Sequence, residues 1–269
     1  MSYLQEKFGL AGKTAVVTGG GGTLCSAIAQ GFAQAGANVI LWDIRPDAMA
    51  DKAKTIAKAC GDPARVAAVE VDLMNEESIA QALVQSAAKF GRVDILVNGA
   101  GGNRGKCPLV EVKEADIDFV LKLNLLAGCL LPTKHVAKYW IDNGIKGVII
   151  NIASMAAFNP LSGVWAYSAA KAGVMNQTMA HAKEFAAHGI RVNAIAPGFF
   201  IADQNRKLLL NDDGSTTQRG SAVLAHTPMD RFGEPDDLTA ATIFLASDGA
   251  AFVSGVTLPI DGAYLCDNI

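Results

Sequence analysis

The chain holds 269 residues, 51% of them hydrophobic and 18% charged, with a formal net charge of -3. Such a balance excludes a disordered or fibrous chain, and it offers no broad basic surface to nucleic acid or an anionic membrane. The length suits one large α/β domain or two small ones.

In chain order, an apolar strand over 13–18 runs straight into Gly19, Gly20, Gly21 and Gly22, and a helix over 24–35 is stopped by Gly36. A second strand over 37–42 ends at Asp43, followed by a helix over 46–60, a strand over 65–71, a helix over 76–90 and a strand over 92–97. Residues 114–142 make one or two helical stretches, 147–152 a fifth strand, and a helix carrying Tyr167 and Lys171 runs to about 188. A sixth strand covers 190–195; beyond a polar stretch, 235–247 is helical and 256–260 is the last strand. Strands alternating with helices at this spacing predict a doubly wound α/β domain, with a mostly parallel seven-stranded sheet covered by helices on both faces. No repeat, low-complexity segment or linker divides the chain, so 1–269 reads as one domain.

Tyr167 and Lys171 lie four apart and share one face of their helix. An ammonium beside a phenol favours phenolate and draws the tyrosine pKa down from about 10 toward neutrality. Tyr167 is thus a candidate general acid/base, although the same spacing also arises by chance in many helices.

At the other end, Gly19, Gly21 and Gly22, with Thr23 and Leu24 opening the helix, form a turn where a pyrophosphate would rest on backbone N–H groups. Asp43 stands where an acid accepts hydrogen bonds from adenosine ribose hydroxyls and repels a 2′-phosphate, which favours NAD over NADP; Arg45 lies two residues on. Asp72 and Leu73 follow strand three, and Asn98, Gly99, Ala100 and Gly101 follow strand four. All belong to the carboxyl edge of the sheet, where open parallel sheets bind ligands.

Taken as an ordered set, Thr18-Gly19 with its glycine run, Asp72, Asn98-Gly99-Ala100-Gly101, Asn124, Ser154, Tyr167, Lys171, Pro197-Gly198, Gly255 and Asp261-Gly262 resemble the short-chain dehydrogenase/reductase family over nearly the full length. The resemblance implies a Rossmann-like fold and a catalytic quartet of Asn124, Ser154, Tyr167 and Lys171. It further implies a nicotinamide cofactor held partly by Tyr167, Lys171, Pro197 and Gly198. Tyr167 would move the proton at the substrate oxygen, Ser154 would hydrogen-bond that oxygen, Lys171 would lower the tyrosine pKa and hold the ribose, and Asn124 would shape its helix and hold a water.

Two stretches depart from the family pattern. Thr23 and Cys25 stand where glycines are usual, and Cys25 suggests sensitivity to thiol reagents. Phe199, Phe200, Ile201 and Ala202 replace a stretch that normally carries a threonine for the carboxamide.

Substrate contacts are expected from Asn103 and Arg104 after strand four, from Ser154 and Tyr167, and from Gln204, Asn205 and Arg206 in a polar segment read as a lid over about 199–229. Arginines suit a carboxylate and amides suit hydroxyls. The segments 197–206, 226–233 and 98–103 resemble the D-mannonate oxidoreductase (fructuronate reductase) branch of the family, which implies D-fructuronate/D-mannonate interconversion. Gluconate or polyol dehydrogenation is the near alternative, and a non-catalytic nucleotide-binding sensor is the alternative of another class. His226 reads as a loop histidine, and no cluster has metal-ligand spacing.

Five cysteines without a close pair read as free thiols in a reducing compartment. The first residues lack an apolar signal core and no apolar run reaches membrane-spanning length, so a cytoplasmic protein without membrane or nucleic-acid partners is expected. Family resemblance implies a homotetramer.

Overall fold

Seven strands, β1 (Thr14–Thr18), β2 (Asn38–Asp43), β3 (Val66–Glu70), β4 (Ile95–Asn98), β5 (Val148–Ile152), β6 (Arg191–Pro197) and β7 (Thr257–Ile260), form one sheet in the computed structural model, which describes residues 2–202 and 205–267. Their order is β3-β2-β1-β4-β5-β6-β7, and every ladder is parallel. All positions of β1, β4 and β5 are buried, as parallel strands covered on both faces must be.

Helices α2 (Thr23–Gln34), α3 (Pro46–Cys60) and α10 (Thr239–Ala246) cover one face. There Ile28, Phe32, Ile56 and Leu245 pack on Val17, Leu41, Val97 and Ile150. On the other face α4 (Glu76–Phe90), α6 (Leu131–Asn143) and α7 (Trp165–Phe185) pack Ile79, Leu83, Trp140 and Phe185 against Val16, Ile40, Leu96 and Ile149. The two largest buried side chains find partners for their indole N–H groups, as burial demands. Trp42 donates to Ser86 Oγ at 2.9 Å and Trp140 to the Val93 carbonyl at 2.8 Å.

Three features depart from the sequence reading. The fourth strand starts at Ile95 rather than residue 92; just before it Asp94 already donates its N–H to the Thr14 carbonyl at 2.8 Å, and its carboxylate accepts from the Thr14 N–H at 2.9 Å. The stretch after α5 (Glu114–Leu121) is one continuous rod in which a π-helical segment, Lys122–Leu130, joins α5 to α6. Short helices not expected from sequence are α1 (Tyr3–Phe8), capped by Ser2 and Gln5, and α8 (Arg206–Leu209) and α9 (Gln218–Ala225) within the polar stretch. The helical run expected over 235–247 opens as a 3-10 turn, Pro235–Leu238, before α10.

Successive strands step outward from β1 to β3, then cross back to β4 on the other side of β1. The crevice outside the carboxyl ends of β1 and β4 is therefore the switch point of the sheet.

Candidate active site

Thr18, fully buried at the end of β1, laces the crevice shut from behind: its Oγ1 accepts from the Gly99 and Ala100 N–H groups at 2.9 and 3.1 Å. Sequence reasoning noted Thr18 only as part of a motif; its side chain ties the first glycine turn to the loop after β4. Gly19 takes φ +67°, and a Cβ there would stand 3.0 Å from Ala100. Gly22 caps α2 without a side-chain hydrogen bond, and Thr23 and Leu24 open that helix. The Gly20, Gly21 and Gly22 N–H groups bond the Trp42 carbonyl, Asp43 Oδ2 and the Gly19 carbonyl, so what the turn offers an anionic pyrophosphate is close approach without side chains and the positive N-terminal end of α2.

Of the two non-glycine positions, Cys25 lies away from the turn. Cys25 turns into the core, where its thiol donates to the Gly99 carbonyl at 3.5 Å, and burial pushes its pKa up to about 12. The expected thiol reactivity is corrected accordingly, because the nucleophilic thiolate is absent near neutral pH.

Asp43 is 6% exposed at the tip of β2. Its Oδ2 accepts from the Gly21 N–H at 3.0 Å, and its carboxylate takes Arg45 as a fork, Nε on Oδ1 at 3.0 Å and a terminal nitrogen on Oδ2 at 3.0 Å. Burial opposes ionisation, but the Arg45 bonds and charge outweigh it and hold the Asp43 pKa below the usual carboxylate value.

On the opposite side of the crevice, three of the four candidate catalytic side chains gather at the ends of β5 and α7, and the fourth comes from the π-helical segment. Ser154 is 7% exposed just past β5; its Oγ accepts from the Ala156 N–H at 3.1 Å and also hydrogen-bonds Tyr167. Lys171 is 5% exposed, donates to the Ile152 carbonyl at 2.6 Å, and lies with its ammonium 5.7 Å from the Tyr167 ring centre. Burial brings its pKa down from 10.5 to about 8.

The Tyr167 phenol behaves against expectation. Burial raises its pKa, the Ser154 hydrogen bond only partly offsets this, and Lys171 makes no resolved contribution. The ammonium is directed to the Ile152 carbonyl and is itself desolvated, so the protonated phenol is the resting form.

Asn124 is fully buried and clasps Gly102 from both sides: Oδ1 accepts from the Gly102 N–H at 3.1 Å and Nδ2 donates to the Gly102 carbonyl at 2.7 Å. Nδ2 also donates to the Val120 carbonyl at 2.8 Å, a helix acceptor left over by the wide π turn. Gly101 is required beside it, since a Cβ there would lie 2.6 Å from Asn124 Oδ1.

A family profile described as Enoyl-(Acyl carrier protein) reductase matches residues 22–264. The 2-dehydro-3-deoxy-D-gluconate 5-dehydrogenase of Escherichia coli is 37% identical over 262 residues, covering 97% of this chain and 99% of that one. The chain belongs to the short-chain dehydrogenase/reductase family. Among solved structures, a Haemophilus influenzae protein provisionally assigned as a D-mannonate oxidoreductase, with bound NAD, superposes with a TM-score of 0.88 at 38% identity and 97% coverage of both chains. An Agrobacterium tumefaciens protein provisionally assigned as a 2-deoxy-D-gluconate 3-dehydrogenase, with bound NADP, gives 0.85 at 36% identity, covering 97% of this chain and 99% of that one. The protein is a nicotinamide-dependent oxidoreductase acting on a CH–OH group. The glycine turn, the carboxylate of Asp43 and the cluster around Tyr167 fit such a cofactor along the same edge of the sheet.

The remaining expected contacts divide. Asp72 is exposed after β3, where its Oδ1 accepts from the Met74 N–H at 2.9 Å, and Leu73 is buried beside it. Asn98 is buried and donates to Thr133 Oγ1 and Asn151 Oδ1 at 2.9 Å each, while its own Oδ1 has no partner among the described residues. Asn151 hands on to Thr178 at 2.9 Å, a buried polar ladder that sequence reading did not anticipate. Pro197 ends β6, and Gly198 donates to the Ile260 carbonyl at 2.9 Å so closely that a Cβ would lie 2.7 Å from Asp261.

Of the substrate candidates, Asn205 is spent on its own loop, with Oδ1 accepting from Ala202 N–H and Nδ2 donating to the Phe200 carbonyl, both at 2.8 Å. Asn103 bonds the Gly105 carbonyl at 2.7 Å, and the Arg104 guanidinium stacks on Phe119, 3.6 Å from the ring centre. Arg206 is exposed at the start of α8, and Gln204 lies outside the described residues. His226 pairs with Asp267 at 2.9 Å. A cavity of about 410 Å³ between the carboxyl ends of β6 and β7 is lined in part by Phe199, Thr227 and Met229, from the segment read as a lid, and by Arg231 beyond it. Among the described residues no group of His, Cys, Asp and Glu side chains could hold a metal ion.

Proposed function

We propose that the protein reduces a keto sugar acid, D-fructuronate, to D-mannonate with NADH, and catalyses the reverse with NAD. The observation that carries the reading is the junction of Ser154, Tyr167 and Lys171 at the carboxyl edge, with Asn124 fastening the loop above them. The cofactor brings the hydride. Tyr167 Oη gives its proton to the substrate oxygen as that oxygen gains charge, and the raised pKa keeps the phenol protonated at neutral pH for this step. Ser154 Oγ bonds the same oxygen and stabilises its developing charge. Lys171 adds positive charge behind the phenol, and the Asn124 clasp keeps Gly102 from filling the site.

The D-mannonate assignment of the Haemophilus protein supports this substrate, and the polar loops suit it. Oxidation of a gluconate derivative is the second reading, supported by the E. coli and Agrobacterium relatives. For the cofactor, the buried carboxylate of Asp43 supports NAD, while Arg45 on that carboxylate moderates its repulsion of a 2′-phosphate. A nucleotide sensor without chemistry would not need a serine, a tyrosine and a lysine joined in this way.

A cytoplasmic homotetramer is proposed with it. Five free thiols and the lack, among the described residues, of a helix long and apolar enough to cross a membrane accord with the location. Exposed apolar side chains accord with an assembly: Leu126 and Ile141 on the rod from the π-helical segment to α6, Met179 on α7, and Phe252, Val256 and Leu258 at or near edge strand β7.

Initial rates with D-fructuronate, 2-dehydro-3-deoxy-D-gluconate and D-gluconate, each with the NAD and NADP couples, test the assignment. Highest kcat/KM for D-fructuronate with NADH is expected. Preference for either gluconate compound would replace the substrate, and turnover confined to the NADP couple would overturn the role given to Asp43.

A further inference from the structure

We infer that Lys106, not Arg104, grips the carboxylate of the substrate; this rests on the sugar-acid reading above. The loop after β4 is pinned at three points. Asn124 clasps Gly102, Arg104 lies flat on Phe119 of α5, and the Cys107 carbonyl accepts the Trp165 indole N–H at 3.1 Å. The stacking directs the Arg104 guanidinium onto α5 and gives it a partner there.

Lys106 has neither restraint. Its stem crosses Gly163, four residues before Tyr167, so closely that a Cβ on Gly163 would lie 3.0 Å from Cγ and 3.4 Å from Cε. Gly163 meets this approach and takes φ +79°, a conformation that glycine adopts without strain. The pins at Cys107 and Gly163 therefore bring an ammonium beside the start of the helix that carries Tyr167.

One carboxylate approaches this loop, Asp116, whose Oδ2 would lie 3.8 Å from a Cβ on Gly105, but it forms no ion pair with Lys106. Lys106 is exposed and has no ion-pair partner among the described residues. It stands next to the N-terminus of α7, a 21-residue helix whose dipole end is also positive and whose first turn holds no acidic side chain. Two positive sources side by side repel one another and are relieved together by an anion. A carboxylate at the far end of a six-carbon keto acid supplies it, with the carbonyl left free to reach Tyr167 and Ser154. An ammonium suits this task because it acts as a mobile point charge on a flexible stem.

The test compares kcat/KM for D-fructuronate and for D-fructose, the same keto sugar with CH2OH in place of the carboxylate, in wild type, Lys106→Met, Lys106→Arg and Arg104→Ala. Loss of one charge-assisted hydrogen bond predicts that Lys106→Met lowers the fructuronate-to-fructose ratio about tenfold, through KM and not kcat. Lys106→Arg should recover most of the ratio, and Arg104→Ala should lower it less than Lys106→Met. An unchanged ratio in Lys106→Met, or an equal loss on both substrates, overturns the inference. Wild-type enzyme that binds NADH yet leaves D-fructuronate unreduced refutes the sugar-acid reading itself, and the inference falls with it.

Discussion

Replacing Asn124 by Asp turns one amide nitrogen into a carboxyl oxygen and leaves the shape of the side chain unchanged. The Nδ2 group donates to two carbonyls, Gly102 at 2.7 Å and Val120 at 2.8 Å, at a position with no exposure. In the variant an oxygen faces both carbonyls. Its ionised form is repelled by them and desolvated, so the folded-state pKa lies above the unfolded value of about 3.9. The native state then holds a proton that the unfolded chain releases, and stability falls as pH rises, by up to about 1.4 kcal/mol per unit, until the raised pKa is passed. Asn124→Ala has no such group. It loses three hydrogen bonds and leaves three backbone groups partly unmatched, about 3 kcal/mol in all and largely independent of pH. Urea unfolding followed by tryptophan fluorescence at pH 5 and pH 7.5, at one protein concentration, separates the two. Loss in the Asp variant should grow between those pH values while loss in the Ala variant stays constant. A pH-independent Asp variant, or an Ala variant within 1 kcal/mol of wild type, would refute the clasp.

Other outcomes rest on the same geometry. Lys171→Met should abolish turnover yet stabilise the fold at pH 7, because burial of the charged amine costs on the order of 3 kcal/mol, less the bond to the Ile152 carbonyl. That gain is full below the folded pKa of about 8 and fades as pH rises toward 10.5, where the unfolded lysine also loses its proton, and chemical denaturation across this range reads it. Arg45→Ala bares the Asp43 carboxylate and should raise the NAD-over-NADP ratio of kcat/KM about tenfold, whereas an unchanged ratio would mean that Asp43 does not face the ribose. Iodoacetamide at neutral pH should label the exposed Cys266 and spare Cys25, read by peptide mass spectrometry; rapid Cys25 labelling with loss of activity would contradict its burial.

The sheet was legible because parallel strands buried on both faces are written as apolar runs, and every run but the fifth, which leads into Ala153 and Ser154, led into a glycine or an acid at the carboxyl edge. Helices α8 and α9 were not, since a polar surface segment carries no core-facing stripe long enough to show a period. The π-helical segment around Asn124 is likewise silent in sequence, because a short widened stretch leaves the helical pattern of its neighbours intact. Spacing put Tyr167 and Lys171 on one helix face, but spacing says nothing of desolvation, and burial reversed the expected direction of the phenol pKa. Arg104 and Asn205 show the same limit from another side. Their types suit a sugar acid, yet an aromatic ring and a loop backbone, both fixed only by the fold, had already claimed them.

Tyr167 moves the substrate proton if NADH consumption with D-fructuronate depends on its hydroxyl, so wild type and Tyr167→Phe are compared for that rate, with NADH affinity of both measured by fluorescence titration. General acid catalysis predicts a rate loss in the phenylalanine variant of at least about a hundredfold, with NADH bound as tightly as before. Equal rates in the two proteins would contradict the account.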